Sequence, residues 1–355
     1  MGAVNSGPAS ATVQTVGSGS APDAATLLEQ AGQGSVRALA RLLTWVEVGG
    51  PRAAPISAAL AGRPRPARIW GLTGPPGVGK STLTSALISD ARAAGQRVAV
   101  LAVDPSSPFS GGALLGDRVR MGDHVTDPGV FIRSMASRGH LGGLSSATPA
   151  AVDLMSALGF DVVLVETVGV GQNEVDVLRL ADTVVVVTAP GAGDGIQAAK
   201  AGILEIADVL VVNKGDREGA ASTVRELKAM LAIGRSEAGP TSAPPGRPET
   251  PAVPRWRVPV LTTTATTGAG LPELVDQIRS HGNFAERTSL AAERRLARSA
   301  ITVQTLLTDH VQRLTASPAG RAVLDRVAGE LAQRAGDPSE GAAALWNWVR
   351  AQPYH

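Results

Sequence analysis

Two hydrophobic rhythms alternate along this chain, and each predicts a different kind of element. From Asp23 to about Leu60, apolar side chains recur at steps of three and four residues, the spacing of one face of an α-helix. Gly32 and Gly34 interrupt the pattern, and Gly49-Gly50-Pro51 ends a second run. The pattern therefore predicts a first and a second helix separated by these glycines.

The rhythm changes at Arg68, where short apolar runs begin to alternate with helical stretches. Several runs lack an alternate polar position, as in strands buried on both faces of a parallel sheet. The six predicted strands are Ile69–Thr73, Val98–Asp104, Val162–Glu166, Thr183–Thr188, Val209–Asn213 and Val258–Thr263. Alternation with helices predicts an α/β domain over residues 68–282, doubly wound around a mainly parallel sheet.

Helical extensions flank this domain on both sides. Residues 23–67 form the predicted N-terminal segment, and residues 283–355 return to helical periodicity, with amphipathic patterns over Leu290–Leu314 and Ala319–Ala335. The last helices are too few to form an independent core easily. We expect them to pack on the α/β domain as a cap or on a second subunit, and periodicity leaves both arrangements open.

Two further segments have a composition that does not support a packed core. Residues 1–22 are rich in Ser, Gly, Ala and Thr without a period, which predicts a disordered tail. Residues 236–257 are rich in Pro, Gly and Ser, and we interpret them as a surface insertion within the α/β domain.

The composition excludes several classes of protein. The chain has 355 residues, 44% of them apolar, and a formal net charge of +2 without blocks of like charge. We therefore expect no nucleic-acid or membrane partner. The lack of cysteine excludes disulfides, zinc ribbons and iron–sulfur ligation. No apolar run reaches the length of a membrane span, and the first residues do not resemble a secretory signal, so we expect a cytoplasmic protein.

A phosphate-binding loop follows the first predicted strand. Residues 74–81 match GxxxxGK[ST] and precede a predicted helix near Ser81–Ala91, which is the setting that this P-loop motif requires. Glycines let backbone N–H groups face the phosphates, and the helix N-terminus adds partial positive charge. We expect Lys80 to reach the β- and γ-phosphates, Ser81 to ligate Mg²⁺ and Thr82 to meet the α-phosphate. The predicted nucleotide-binding residues here are Gly74, Pro75, Pro76, Gly77, Val78, Gly79, Lys80, Ser81 and Thr82.

A guanine-reading tetrapeptide, NKxD, leaves the carboxyl end of a later predicted strand, where ligands of such sheets bind. The Asp216 carboxylate can accept the N1–H and the exocyclic amine of guanine, a donor pair that adenine lacks. The aliphatic stem of Lys214 can cover the base, and Asn213 can tie this loop to the phosphate loop. Backbone N–H groups of a segment after the next strand are candidates for the guanine oxygen: Thr264, Ala265 and Thr266.

Three acids are candidates for the magnesium site and, with Lys80, for the catalytic set. Asp104 and Glu166 end two predicted strands, where a carboxylate beside the phosphate loop can hold the metal directly or through water. Asp117 lies in a Gly-rich segment and reaches the metal only when that segment closes; an ordinary solvated acid is the alternative. Gly169 lies where a backbone N–H can sense a γ-phosphate.

The strings around these sites resemble the MeaB/ArgK family. They include GLTGPPGVGKSTL, VLAVDPSSPFSGGALLGDRVRM, DVVLVETVGVGQNE, PGAGDGIQAAKAG and VVNKGD, and similar strings extend over most of Arg68–Asp276. The resemblance implies an enzyme that binds GTP and GDP with Mg²⁺ and hydrolyses GTP. It implies a chaperone that assists adenosylcobalamin loading and protection of methylmalonyl-CoA mutase or a related mutase. It also implies a homodimer joined through the C-terminal helices.

The resemblance also implies roles for particular residues. The family's metal and catalytic acids fall on Asp104, Asp117 and Glu166, and its third mobile loop falls on Gly191–Lys200. Family members often carry an acidic residue where this chain has Gly195, so communication with the mutase can differ in detail. The Pro-rich insertion and the N-terminal tail look peculiar to this chain and touch none of the nucleotide motifs.

Two other functions are compatible with a phosphate loop. GTPases that insert metal into urease or hydrogenase share the fold subclass but need clustered His or Cys ligands. The histidines here are scattered, and we interpret each as a surface or loop residue: His124, His140, His281, His310 and His355. A kinase that transfers the γ-phosphoryl group to a small molecule is the other alternative, although the sequence shows no second substrate pocket.

Overall fold

A seven-stranded sheet forms the centre of the computed structural model, with the strand order β3-β2-β4-β1-β5-β6-β7. The structure describes residues 23–104, 122–136, 147–167, 178–192, 206–237, 254–333 and 337–352. All neighbouring strands in this sheet run parallel. The strands are β1 Arg68–Thr73, β2 Val98–Asp104, β3 Val130–Ala136, β4 Val162–Thr167, β5 Thr183–Thr188, β6 Val209–Val212 and β7 Val260–Thr262.

The six strands predicted from the sequence are confirmed, and β3 is the strand that the pattern missed. β3 pairs with β2 and lies at the end of the strand order. Its apolar run is interrupted by Arg133 and Ser134, so it lacks the uninterrupted apolar run of a central strand. Arg133 is accommodated because its guanidinium donates to both carboxylate oxygens of Glu47 on a neighbouring helix, at 3.0 and 2.5 Å.

Helices cover both faces of the sheet, which accounts for the unbroken apolar runs of the strands. Successive residues of β2 face opposite ways: Ala99 and Leu101 join one buried cluster, and Val98 and Val100 join the other. The first cluster includes residues of α1 Ala24–Gly32, α2 Val36–Val48, α3 Ala54–Leu60, α5 Ala147–Ala157 and α6 Ala220–Glu237. The second includes residues of α4 Lys80–Ala93 and α7 Leu271–Arg287.

The predicted breaks between the N-terminal helices are confirmed, and local capping accounts for them. The Ser35 hydroxyl accepts from the N–H of Ala38 at 3.3 Å, which starts α2 after the glycine-containing break. Gly49, at φ 70°, ends α2. A 3-10 turn over Gly50–Arg52 then leads into α3.

Three helices follow the α/β domain: α8 Leu290–Ala316, α9 Pro318–Ala332 and α10 Pro338–Arg350. α8 packs against the amino ends of the strands, here called the amino edge of the sheet. This is one of the two arrangements that periodicity left open. Its Arg294 donates to both oxygens of Asp208 at 2.7 and 2.8 Å, and its Arg298 pairs with Asp182. Within the described part of the chain, no helix is long and apolar enough to cross a membrane.

A buried polar cluster anchors α8 to the strands. His281 is fully buried, with Nδ1 2.9 Å from the Thr183 hydroxyl and Nε2 3.1 Å from Asp208 Oδ1. Burial alone raises the pKa of Asp208, but hydrogen bonding and charge from His281 and Arg294 outweigh it and hold that pKa below its ordinary value. Asp208 is therefore a buried carboxylate kept ionised by its partners.

The interpretation of every histidine as a surface or loop residue is wrong for two of them. His281 lies within α7 and is fully buried, and His310 lies within α8 and is 9% exposed. The amphipathic pattern of these helices did not reveal the buried polar partners that accommodate an imidazole. His140 and His355 lie outside the described residues.

The C-terminal end of the predicted Pro-rich insertion is held against this cluster. The Trp256 indole N–H donates to the Asp208 carbonyl at 2.8 Å, and its ring lies 5.0 Å from the His281 ring and 5.5 Å from the Phe284 ring. Residues 238–253 of the segment lie outside the described residues. The predicted surface insertion therefore ends in a segment that the side chain of Trp256 anchors to the domain.

Replacing Asp208 with Asn should destabilise the fold. The variant leaves Arg294 without its buried carboxylate, and breaking such a pair costs about 3–5 kcal/mol. Because the pKa of Asp208 is lowered in the folded chain, its stabilisation is present above its unfolded pKa of about 4 and is lost as pH falls through the folded value. The difference in unfolding free energy between the variant and the parent, measured with urea, should therefore be large at pH 7 and small in acid.

Asp325→Asn is the matched control, because Asp325 is an exposed acid on α9. It should leave the unfolding free energy nearly unchanged at both pH values. Equal stability of Asp208→Asn and the parent at pH 7 would contradict this account of how α8 is attached.

Candidate nucleotide site

The loop between β1 and α4 is shaped by two glycines that lie too close to their neighbours to carry a side chain. At Gly74, with φ 147°, a Cβ atom would lie 1.9 Å from the Val187 carbonyl oxygen at the end of β5. At Gly79, with φ 94°, it would lie 2.5 Å from Asn213 Nδ2. The loop backbone can therefore lie directly against the carboxyl ends of the neighbouring strands.

The start of α4 is suited to an anion. Its N-cap residue, Gly79, makes no side-chain capping bond, so the first N–H groups of the helix keep their capacity for a ligand. Lys80, the first residue of α4, is 7% exposed, and its ammonium donates to the carbonyls of Gly74 and Pro75 at 2.7 and 3.1 Å. Backbone donors, a helix N-terminus and an ammonium thus converge on one loop.

A buried carboxylate lies beside this loop. Glu166, near the end of β4, is 3% exposed and accepts from the hydroxyls of Ser81 and Thr84, each at 2.7 Å. Sequence reasoning brought Ser81 and Glu166 together but missed Thr84. The signal was available, because residues three apart share a helix face and Thr84 follows Ser81 by three.

Asn213 joins three segments that are distant in the sequence. Its Nδ2 donates to the Val78 carbonyl in the phosphate loop at 2.9 Å. Its Oδ1 accepts from the Thr263 hydroxyl and the Ala265 N–H, both at 3.1 Å. The phosphate loop and the two loops that leave β6 and β7 are therefore held as one unit.

The rest of the tetrapeptide borders the same loop. Lys214 is the single non-glycine residue with positive φ among the described residues, at 57°, and its Nζ donates to the Gly77 carbonyl at 2.5 Å. Asp216 is exposed, and no hydrogen bond or ion pair is recorded for it within the described part of the chain. A carboxylate in this state is able to accept donors from a ligand.

The segment after β7 offers fewer free donors than the sequence suggested. The Thr264 N–H donates to the Ala269 carbonyl at 2.9 Å, and the Ala265 N–H donates to Asn213 at 3.1 Å. Thr266 is the third residue of that predicted set, and no acceptor for its N–H is recorded among the described residues. Two of the three candidate N–H groups thus stabilise the loop itself.

Other predicted site residues lie wholly or partly outside the described residues. The backbone of Asp104 ends β2, where Ala102 is paired in register with Glu166 of β4, but its side chain is not among those described. Asp117 and Gly169 lie outside the described residues, as does the predicted third loop after Ala192. Within the described residues, no group of three His, Cys, Asp or Glu is placed to hold a metal ion.

Fold and motif together define the class: a phosphate loop, a parallel doubly wound sheet and a strand-end NKxD sequence make this chain a P-loop NTPase. The sequence profile of the family described as methylmalonyl Co-A mutase-associated GTPase MeaB matches residues 39–319. The chain belongs to this family, as its sequence strings predicted, and it is a GTPase.

Relatives support the same assignment. A protein of Pyrococcus horikoshii named as a GTPase is 49% identical over 281 residues, which cover 79% of this chain and 84% of that protein. The mouse mitochondrial methylmalonic aciduria type A homolog is 39% identical over 225 residues, covering 61% of this chain and 49% of the relative. A crystal structure of an LAO/AO transport system kinase matches with a TM-score of 0.58 at 25% identity, covering 92% of this chain and 98% of the other.

Removing the Thr84 hydroxyl should slow GTP hydrolysis more than it weakens nucleotide binding. In Thr84→Val, Glu166 keeps one of its two hydroxyl donors, and loss of such a positioning contact costs about tenfold or more in activity. We expect kcat to fall while the GDP dissociation constant changes little, as measured by phosphate release and by calorimetry.

Thr84→Ser keeps the hydroxyl and should restore most of the rate. Ser89→Ala, on the exposed face of the same helix, should have no effect. A Thr84→Val variant with unchanged kcat would show that this contact to Glu166 is merely structural.

Proposed function

We propose that this GTPase is a Mg²⁺-dependent chaperone that assists adenosylcobalamin loading and protection of methylmalonyl-CoA mutase or a related cobalamin mutase. The observation that carries the proposal is the membership of the MeaB family, whose description names association with that mutase. The name of the mouse relative, a methylmalonic aciduria type A homolog, points to the same metabolism. The structure adds that hydrogen bonds of Asn213 join the phosphate loop to the loops after β6 and β7.

Phosphate binding follows from the arrangement of the loop and α4. We expect backbone N–H groups of residues 77–82 to surround the β-phosphate, since Pro75 and Pro76 have none. We expect Thr82, exposed at the start of α4, to meet the α-phosphate. The Lys80 ammonium lies against the carbonyls of Gly74 and Pro75. When GTP binds, we expect it to exchange part of this contact for β- and γ-phosphate oxygens, where its charge stabilises the transferring group.

The residues around Glu166 fit a magnesium ion. Ser81 and Glu166 present a hydroxyl and a carboxylate, the hard oxygen donors that Mg²⁺ prefers, and a site of this kind uses few protein ligands because nucleotide phosphates and water supply the rest. When bound, the ion would neutralise charge that develops on the phosphates. Asp104 and Asp117 are the further acids that we propose for the metal and for catalysis.

Base recognition is assigned to the tetrapeptide. We expect the Asp216 carboxylate to accept the N1–H and the amine of guanine, and the stem of Lys214 to cover the base. Among the residues after β7, Thr266 is the best donor for the guanine oxygen, because the N–H groups of Thr264 and Ala265 are engaged within the protein. Asn213 then transmits the position of the base to the phosphate loop through Val78.

Regulation is assigned to the loops that follow β4 and β5. Gly169 lies shortly after Glu166 in sequence, so a γ-phosphate contact there would couple nucleotide state to the metal carboxylate. The loop over Gly191–Lys200 is the proposed third switch. Its communication with a mutase can differ from that of relatives at Gly195. Loops of this kind report the bound nucleotide to a partner by changing their conformation.

We also propose a homodimer formed through α8. This helix of 27 residues carries exposed apolar side chains at steps of seven and four residues, which place them along one stripe: Leu296, Val303 and Leu307, 73%, 65% and 50% exposed. A stripe of this kind is typical of a helix that packs on another subunit. The occupant that we propose is the same stripe of a second chain.

Asp216→Asn should change the base preference. The amide keeps the size of the side chain but presents a donor where guanine also has a donor, so GTP binding should weaken by roughly two to four orders of magnitude. Xanthosine triphosphate offers an oxygen at that position and should bind better than GTP. Calorimetry gives the dissociation constant for each nucleotide. An unchanged preference for GTP would remove Asp216 from the base site.

GTP hydrolysis should accelerate when the partner mutase is added. We expect release of labelled phosphate to rise severalfold with a purified adenosylcobalamin-dependent methylmalonyl-CoA mutase, because a partner that orders the loops completes the site. Asp216→Asn is the matched control: the mutase should stimulate it with xanthosine triphosphate but not with GTP. No response to any cobalamin mutase would contradict the proposed role.

Charging the α8 stripe should separate the dimer. In Val303→Asp/Leu307→Asp, two carboxylates would be buried against the other chain, so light scattering should give the mass of one chain instead of two. Val125→Asp, at an exposed apolar residue in the turn before β3, is the matched control and should leave the mass unchanged. A parent chain with the mass of one chain would rule the dimer out.

A further inference from the structure

A cavity of about 350 Å³ opens at the amino edge of the sheet, between the start of β1 and helices α7 and α8. Its lining holds six guanidinium groups and two carboxylates, Asp182 and Glu286. Three acids outside the lining, Asp90, Asp153 and Asp208, pair with Arg279, Arg65 and Arg294. The six arginines are Arg65, Arg68, Arg279, Arg294, Arg295 and Arg298. A concentration of arginine in a concave site attracts anions.

The most buried arginines are held in place from behind. Arg294 and Arg298 have side chains that are 22% and 14% exposed. Asp208 binds the first with two hydrogen bonds, and Asp182 pairs with the second. Asp182 is itself fixed, since its carboxylate accepts from the Ile69 N–H at 2.9 Å. These two guanidinium groups are therefore pre-organised by the strand ends rather than free to adapt.

The ion pairs leave part of this donor set unsatisfied. Arg298 Nε is buried, and no acceptor for it lies among the described residues. Arg68 is exposed at the start of β1, and no ion pair or side-chain hydrogen bond is recorded for it in the described part of the chain. Arg295 pairs with Glu286 at 3.0 Å, but both side chains are more than half exposed, and such a pair stabilises little.

The cavity is separate from the nucleotide site. β1 has six residues, and its carboxyl end leads into the phosphate loop while its amino end, Arg68, lines the cavity. A strand of this length spans about 17–20 Å. A ligand in the cavity and a nucleotide on the loop therefore occupy opposite edges of the same sheet and do not compete for space.

We propose that this cavity binds a small molecule through a phosphate group. Guanidinium groups match phosphate because their planar N–H pairs bind two oxygens at once, and a cavity of this volume falls within the size range of small-ligand sites. The ion-pair network explains why Arg294 and Arg298 attach α8 to the strands. It gives no role to Arg68, which lines the cavity, and a phosphate bound there would supply an acceptor for its guanidinium group.

The test uses the full chain saturated with GDP, so that the phosphate loop is filled. Inorganic pyrophosphate and, in a separate arm, ribose 5-phosphate are titrated calorimetrically without added Mg²⁺, which would complex the titrant. We expect saturable binding at one site per chain, weakened about tenfold in Arg68→Gln/Arg295→Gln because two charge-assisted contacts are lost. Both residues are exposed, and neither belongs to the buried network, so the variant should fold.

Arg225→Gln, an exposed arginine on α6 far from the cavity in sequence and without a recorded ion pair among the described residues, should bind as the parent does. Binding in both arms supports recognition of a phosphate group on any carrier, and binding of pyrophosphate alone supports a polyphosphate ligand. The proposal is overturned by no binding in either arm, by equal binding in the double variant, or by displacement when GDP is raised further.

Discussion

The side-chain amide of Asn213 is the contact on which the nucleotide site depends. It donates to the Val78 carbonyl and accepts from Thr263 and Ala265, so the phosphate loop cannot move independently of the loops that leave β6 and β7. An amide can do this because it carries a donor and an acceptor on one rigid plane. The close approach leaves no room for a side chain at Gly79.

A second buried contact, between Glu166 and two hydroxyls of α4, places a carboxylate beside the phosphate loop. Glu166 is nearly inaccessible, and a carboxylate there is tolerated because hydroxyls of α4 donate to both of its oxygens. The helix that follows the phosphate loop thus also orients the acid beside it. These two hydrogen bonds therefore join the start of α4 to the carboxyl end of β4.

The opposite edge of the sheet carries a different set of charges. Asp182 and Asp208 lie just before β5 and β6, and arginines of α8 hold both. α8 is therefore attached by ion pairs at the amino ends of strands whose carboxyl ends lead to the nucleotide loops. Arg294 and Arg298 also line the neighbouring cavity.

The sequence by itself determined the class of fold, six of the strands, the phosphate loop, the tetrapeptide and the family, because each is encoded in a local string or in a short-range period. Only the tertiary structure decided that β3 completes the sheet, that Thr84 holds Glu166, that His281 is buried and that two of the three N–H groups after β7 are already engaged. The physical reason is the same in each case. A polar group is buried or placed on a strand when a partner far away in the sequence satisfies it, and periodicity carries no record of that partner.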